Sequence, residues 1–173
     1  LTRALEVLAE APHPQAGALA AELARAAGAA GMVAGQVADM GLCDLPEGLE
    51  GLRYVHRHKT AALIAASVTL GARSAGAEPE ALAAVTNYGS DLGLAFQVID
   101  DILDVTAEAD ELGKTPGKDA AAGKRTYVAA LGLPGARQLG DELTTRAHRA
   151  LRPLGEAGAD LARLAELLAE RTR

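Results

Sequence analysis

Apolar residues recur at helical spacing along nearly the whole chain, and alternating runs of β-branched residues are absent. That feature confines the 173 residues to an all-α fold. Helices are expected over residues 1–10, 15–40, 49–74 and 80–105. The breakers between them are Pro12 and Pro14, the loop 41–48, then Gly76 and Pro79. A polar, Gly-rich stretch, 106–119, contains Gly113, Pro116 and Gly117 and is expected to be a loop. Shorter helices follow at 120–131 and from Pro134 to Leu151, with Asp160 placed to cap a last one at 161–171. Long helices joined by short loops predict a helical bundle, read as one all-α domain over 1–173.

Composition removes several function classes. With one Phe, three Tyr and no Trp, the chain has no aromatic platform for single-stranded nucleic acid. A net charge of -6 argues against any phosphate-backbone binder, so no nucleic-acid partner is expected. Cys43 is the single cysteine, which excludes an internal disulfide and fits a reducing, cytoplasmic compartment. The longest strongly apolar stretch, 61–68, is far too short for a transmembrane segment. The chain opens at Leu1 without Met, so it reads as part of a longer protein.

Three clusters do not fit a plain bundle. The helix at 80–105 carries Asp100, Asp101 and Asp104 near its C-terminal end. Asp100 and Asp104 share a face, Asp101 lies one step round, and Gln97 sits above Asp101. Three mutually repelling carboxylates at the negative end of the helix dipole, with nothing basic three or four residues on, call for an external cation. Magnesium suits them: it is a hard ion that takes one or two carboxylates plus waters and phosphate oxygens. The plainer alternative is a solvated acidic face.

Lys59 is the second cluster's centre. It falls in register with the apolar stripe Leu49, Leu52, Val55, Ala62, Leu63, Ala66 and Leu70. A Lys on a core-facing stripe is costly unless paired or hydrated, which suggests a wet, anionic cavity; the alternative is a Lys whose head snorkels to water. His56 and His58, two apart, point to different faces and read as packing or surface histidines. The third cluster is Leu112-Gly-Lys-Thr-Pro-Gly-Lys-Asp119 with Gly123-Lys124-Arg125-Thr126. Its glycines and lysines can cradle phosphate, although the spacing is not a Walker A loop and a flexible charged loop is the plainer reading. Taken together, the three clusters describe magnesium bridging carboxylates to a diphosphate inside an apolar helical cavity, which points to isoprenoid substrates.

Five segments carry a resemblance. Gly31-Met-Val-Ala-Gly-Gln-Val-Ala-Asp39, Tyr54-Val-His-Arg-His-Lys-Thr-Ala-Ala-Leu-Ile64, Gly93-Leu-Ala-Phe-Gln-Val-Ile-Asp-Asp-Ile-Leu-Asp-Val105, Leu112-Gly-Lys-Thr-Pro-Gly-Lys-Asp119 and Gly123-Lys-Arg-Thr-Tyr127 closely resemble bacterial trans-polyprenyl diphosphate synthases of the farnesyl and geranylgeranyl type. The resemblance implies the isoprenoid synthase fold, usually a homodimer, around a deep central cavity. It implies that Asp100, Asp101 and Asp104 bind Mg2+ at an allylic diphosphate that Lys59, Lys114 and Lys124 also contact. Thr60 and Gln97 match residues beside the allylic carbon, and Phe96 matches one lining the position of isopentenyl diphosphate. Gln36 and Asp39 match a pair turned toward the same cavity. Arg125 has no counterpart and receives no role. The family's first aspartate-rich motif has no match in the chain, so the likeness is to the later part of a synthase.

The activity implied is condensation of an allylic diphosphate with isopentenyl diphosphate to a longer polyprenyl diphosphate. The loop 106–119 is then expected to close over the diphosphate and bring Lys114 to it. Rival readings remain. A class I terpene cyclase shares the fold but usually carries an Asn/Asp-x-x-Ser/Thr-x-x-x-Glu motif where this chain has Asp100-Asp-Ile-Leu-Asp104. A non-catalytic partner subunit would keep the fold and lack the first motif. A helical interaction module would leave Lys59 and the aspartates unexplained.

Overall fold

The computed structural model describes residues 1–112 and 125–171, with side chains described as far as Ala107 in the first stretch. The segment 113–124, with Lys114, Lys124 and most of the expected closing loop, lies outside the described residues. Among the described residues every regular element is helical. They are α1 (Thr2–Glu10), α2 (Ala16–Ala27), α3 (Met32–Asp39), α4 (Gly48–His56), α5 (Ala62–Ser74), α6 (Pro79–Leu112), α7 (Tyr127–Ala150) and α8 (Ala159–Glu170). A π-helical turn, Arg57–Ala61, joins α4 to α5, and a 3-10 segment, Arg152–Gly158, joins α7 to α8. None of these helices is long and apolar enough to cross a membrane.

The long α6 is the axis of the bundle. Pro79 opens it, where a missing N–H costs nothing. One core cluster joins α6 to α4 and α7 through Leu94, Ala95, Val98 and Ile102 against Leu52, Tyr127, Ala136 and Leu143. A second gathers Tyr88, Leu92, Ala147, Leu151 and Ala165, uniting α6 with α7 and α8. Tyr88 is fully buried, and its hydroxyl donates to the Leu161 carbonyl at 2.6 Å, which ties α8 to α6. Burial pushes its pKa up to about 12, so the donor keeps its proton.

Several expected boundaries move. The single helix expected over 15–40 is two. Gly28 is extended, and at Gly31 a Cβ would run into the Ala26 carbonyl, so the glycines end α2 there. The helix expected to stop at Val105 continues to Leu112, because the first strong breaker is Gly113. Asp160 lies in the first turn of α8, where it complements the dipole, but the N-cap is Gly158. The break expected between Leu131 and Pro134 is real: α7 is interrupted at Gly132, whose φ of 70° suits glycine.

The π turn is the largest departure from regular periodicity. Its wider hydrogen-bond ring rotates the buried stripe, so Ala61, Ala65 and Thr69 are buried beside the expected Ala66, while the expected Ala62, Leu63 and Leu70 are only half-buried. Two helices hold it. A Cβ at Gly93 of α6 would lie 2.5 Å from the Ala61 Cα, and one at Gly35 of α3 would lie 2.6 Å from the Lys59 Cα. Only glycine permits backbones to approach so closely.

Candidate functional site

The π turn delivers two consecutive side chains to two different helices. Lys59 donates from Nζ to Asp39 Oδ2 on α3 at 2.6 Å, and the Thr60 hydroxyl donates to Gln97 Oε1 on α6 at 2.8 Å. The Lys59 and Asp39 side chains are 36% and 45% exposed, so the pair contributes little to stability and chiefly fixes where the ammonium points.

Lys59, Asp39 and Gln97 line a cleft of about 750 Å3 with Asp100, Asp101 and Asp104. Lys59 therefore faces the aspartates rather than open solvent alone. Gln36 is exposed on α3, Phe96 is half-buried on α6, and neither lines this cleft.

The three aspartates have different surroundings. Asp101 is 7% exposed, and its Oδ2 accepts the buried Tyr127 N–H at 2.7 Å. That bond fastens the start of α7 to α6. Thr126 caps the same end, its side chain accepting from Ala129 N. Asp100 is more open and has Arg171 Nη1 at 3.9 Å from its Oδ1. Among the described residues no three of His, Cys, Asp and Glu form a group that could hold a metal by themselves. Magnesium does not require such a cage, since it keeps waters and takes one or two carboxylates together with substrate phosphates. Asp100 and Asp104, hard oxygen donors one helical turn apart in the cleft wall, fit that demand.

Two titratable cleft residues, Arg125 and His56, were not singled out as site residues by sequence. Arg125 lines the cleft because it directly precedes the capped, Asp101-bound start of α7. Its neighbour Lys124 was the available signal. His56 is 8% exposed, its ring 5.1 Å from that of Tyr127, and its Nδ1 is buried without a hydrogen-bond partner. It is thus the packing histidine expected, although it also lines the cleft. His58 stacks on Tyr54 at 4.0 Å, and its Nδ1 donates to the Tyr54 carbonyl.

Burial lowers the His56 pKa to about 4 from 6.5, with Lys59 acting in the same sense and Asp39 opposing. The unfolded chain therefore binds a proton that the folded one refuses between those values. Stability contributed by neutral His56 is complete above pH 6.5 and is lost as pH falls toward 4. A loss of about 3 kcal/mol is expected across that window. Urea midpoints measured from pH 7 to pH 4 should slope less for His56→Gln, and equal slopes would assign the loss to other groups.

The sequence pattern of the polyprenyl synthetase family matches residues 1–155. The chain belongs to that family. Polyprenyl synthetase relatives include a chloroplastic geranylfarnesyl diphosphate synthase from Leucosceptrum canum, 47% identical over 133 residues, covering 75% of this chain and 36% of the relative. A dimethylallyltranstransferase from Fischerella ambigua is 43% identical over 152 residues, covering 87% of this chain and 44% of its own length. A solved geranyltransferase from Helicobacter pylori, in complex with magnesium and isoprenyl diphosphate, superimposes with a TM-score of 0.68 at 34% identity, covering 98% of this chain and 54% of that one. The fold is thus the all-α isoprenoid synthase fold. The chain spans less than half the length of these two curated polyprenyl synthetase relatives.

Proposed function

We propose that this chain carries the diphosphate-releasing half of a magnesium-dependent trans-polyprenyl diphosphate synthase, which joins an allylic diphosphate to isopentenyl diphosphate. The observation that carries this reading is that Lys59 lines one cleft together with Asp100, Asp101 and Asp104. A lysine and a carboxylate cluster sharing one cleft suit a ligand that is itself anionic and metal-bound.

Magnesium held by Asp100 and Asp104, with Asp101 beside them, would neutralise charge on the leaving diphosphate. Lys59 shares that task, joined by Lys114 and Lys124, and Asp39 aims its ammonium. As the carbon–oxygen bond of the allylic diphosphate breaks, positive charge develops on carbon. The Thr60–Gln97 pair presents oxygen dipoles to it. The isopentenyl double bond then attacks, beside Phe96, and a proton is lost to the departing diphosphate. No side-chain nucleophile is needed.

A homodimer belongs to this reading, supported by the exposed Val33 on α3 and Met40 at its C-terminal cap. Cytoplasmic placement is proposed on the strength of the single free, exposed Cys43.

In the full-length protein, Asp100→Ala is expected to lower turnover by about 100-fold or more. Prenyl transfer followed with labelled isopentenyl diphosphate checks this. Full activity in excess chelator would reject the magnesium mechanism. A cyclised hydrocarbon product would favour a terpene cyclase, and diphosphate binding without turnover a partner subunit.

A further inference from the structure

A second cleft, of about 760 Å3, opens between α4, α6 and α7 on the other side of Tyr127. Arg53 and Arg57 line it from α4 and the π turn, Arg146 and Arg149 from α7. Among the described lining residues only Asp91 is acidic. Four arginines lining one cleft with a single carboxylate are unexpected in a chain of net charge -6, although Arg146 and Arg149 also border a neighbouring groove with Asp141 and Glu142. An arginine cluster with no structural task is normally dispersed by repulsion or neutralised by acids.

Asp91 occupies just one of the four. Arg146 Nη2 lies 2.7 Å from Asp91 Oδ1, and the Asp91 side chain is 13% exposed. Burial raises its pKa, while Arg146 and, from the other wall, Arg57 pull it down. Tyr127 feels Arg53 and Arg57 in the same way, against a larger effect of burial. The charges of both walls therefore converge on one volume. Asn87 and Ser90, on α6 between those walls, add neutral hydrogen-bonding groups.

We propose that this arginine-lined cleft is a second anion site, which binds a small phosphoryl anion of the diphosphate class. Guanidinium is the side chain best matched to phosphate oxygens, through paired N–H donors. Several guanidiniums around one cavity favour an anion with more than one negative charge over a single carboxylate. The inference does not rest on the synthase reading, since it uses none of the aspartate-cleft residues. Tyr127 links the two: its residue lines the arginine cleft, and its backbone N–H donates to Asp101 of the aspartate cleft.

The test is calorimetric titration of the full-length protein with inorganic diphosphate, in chelator and without magnesium. Orthophosphate and chloride at matched ionic strength serve as further arms. Saturable binding of diphosphate, tighter than orthophosphate and absent for chloride, is expected. The double variant Arg53→Gln/Arg149→Gln should weaken it at least tenfold, and Arg137→Gln, exposed on α7 and outside both clefts, should leave it unchanged. Asp91→Asn, which frees Arg146, should tighten it severalfold, so the site can be tested by a gain as well as a loss. Circular dichroism confirms that each variant is folded. No saturable binding, or binding lost with Lys59→Gln and kept in the double variant, would overturn the proposal. Failure of prenyl transfer would not, because the readout is metal-free binding.

Discussion

Alanine at Asp101 is expected to lower both stability and turnover, whereas alanine at Asp100 should lower turnover alone. The two are adjacent in sequence but differ in what they hold. Asp101 is buried and accepts the Tyr127 N–H, so its removal strands a buried backbone donor at the first residue of α7. Such a donor costs about 1–3 kcal/mol, and more where the lost acceptor was charged. Asp100 keeps a 41% exposed side chain with a distant arginine, and changes of that kind stay within about 0.5 kcal/mol. Thermal midpoints and turnover measured on the same preparations separate the two effects. Asp101→Asn retains an oxygen acceptor and should recover much of the stability without recovering turnover. Equal melting of the two alanine variants would show that the Tyr127 bond does not hold α7 in place.

Gly35→Ala should be the most damaging single methyl added near the cleft. The new carbon would meet the Lys59 backbone, with the Cα at 2.6 Å, and backbone has no rotamer by which to yield. Either α3 or the π turn must move. Overpacking of this kind costs about 1–3 kcal/mol, and a backbone obstacle belongs at the upper end. Asp39 lies one turn beyond Gly35 on α3, so the shift also pulls the carboxylate from the Lys59 ammonium. The expected result is a lower melting temperature together with a raised KM for the allylic diphosphate. Gly71→Ala is the control. It adds the same methyl inside α5, with nothing within 4 Å, and should stabilise by about 1 kcal/mol. If both alanines behave alike, the close approach of α3 is not what places Lys59.

Sequence carried the site further than it carried the helix boundaries. The aspartates and Gln97 could be read because they lie on one regular helix, where spacing translates directly into direction. Lys59 was placed toward the cavity by a regular period that the π turn in fact interrupts. The cavity-facing direction survives because Lys59 lies within the turn, while the stripe beyond it rotates. Arg125 was out of reach: its position depends on a bond between residues 26 apart in the chain. The break between α2 and α3 was hidden because alanine on both sides is a strong helix former, and the extended backbone at Gly28 that ends α2 has no strong breaker in the sequence to announce it.

A wide helical turn is ordinarily a soft joint, since its hydrogen bonds are fewer and looser than those around it. Here it is gripped from both sides, by α3 at Gly35 and by α6 at Gly93, with no side chain between the backbones to act as a cushion. The joint has become a fixed jaw. Lys59 and Thr60 are therefore expected to keep their bearings when a ligand binds, leaving any opening or shutting of the cleft to the opposing parts. Temperature or denaturant should therefore loosen the rim of the cleft well before the turn itself, and amide exchange at Lys59 and Ala61 should be among the slowest in the helices they join.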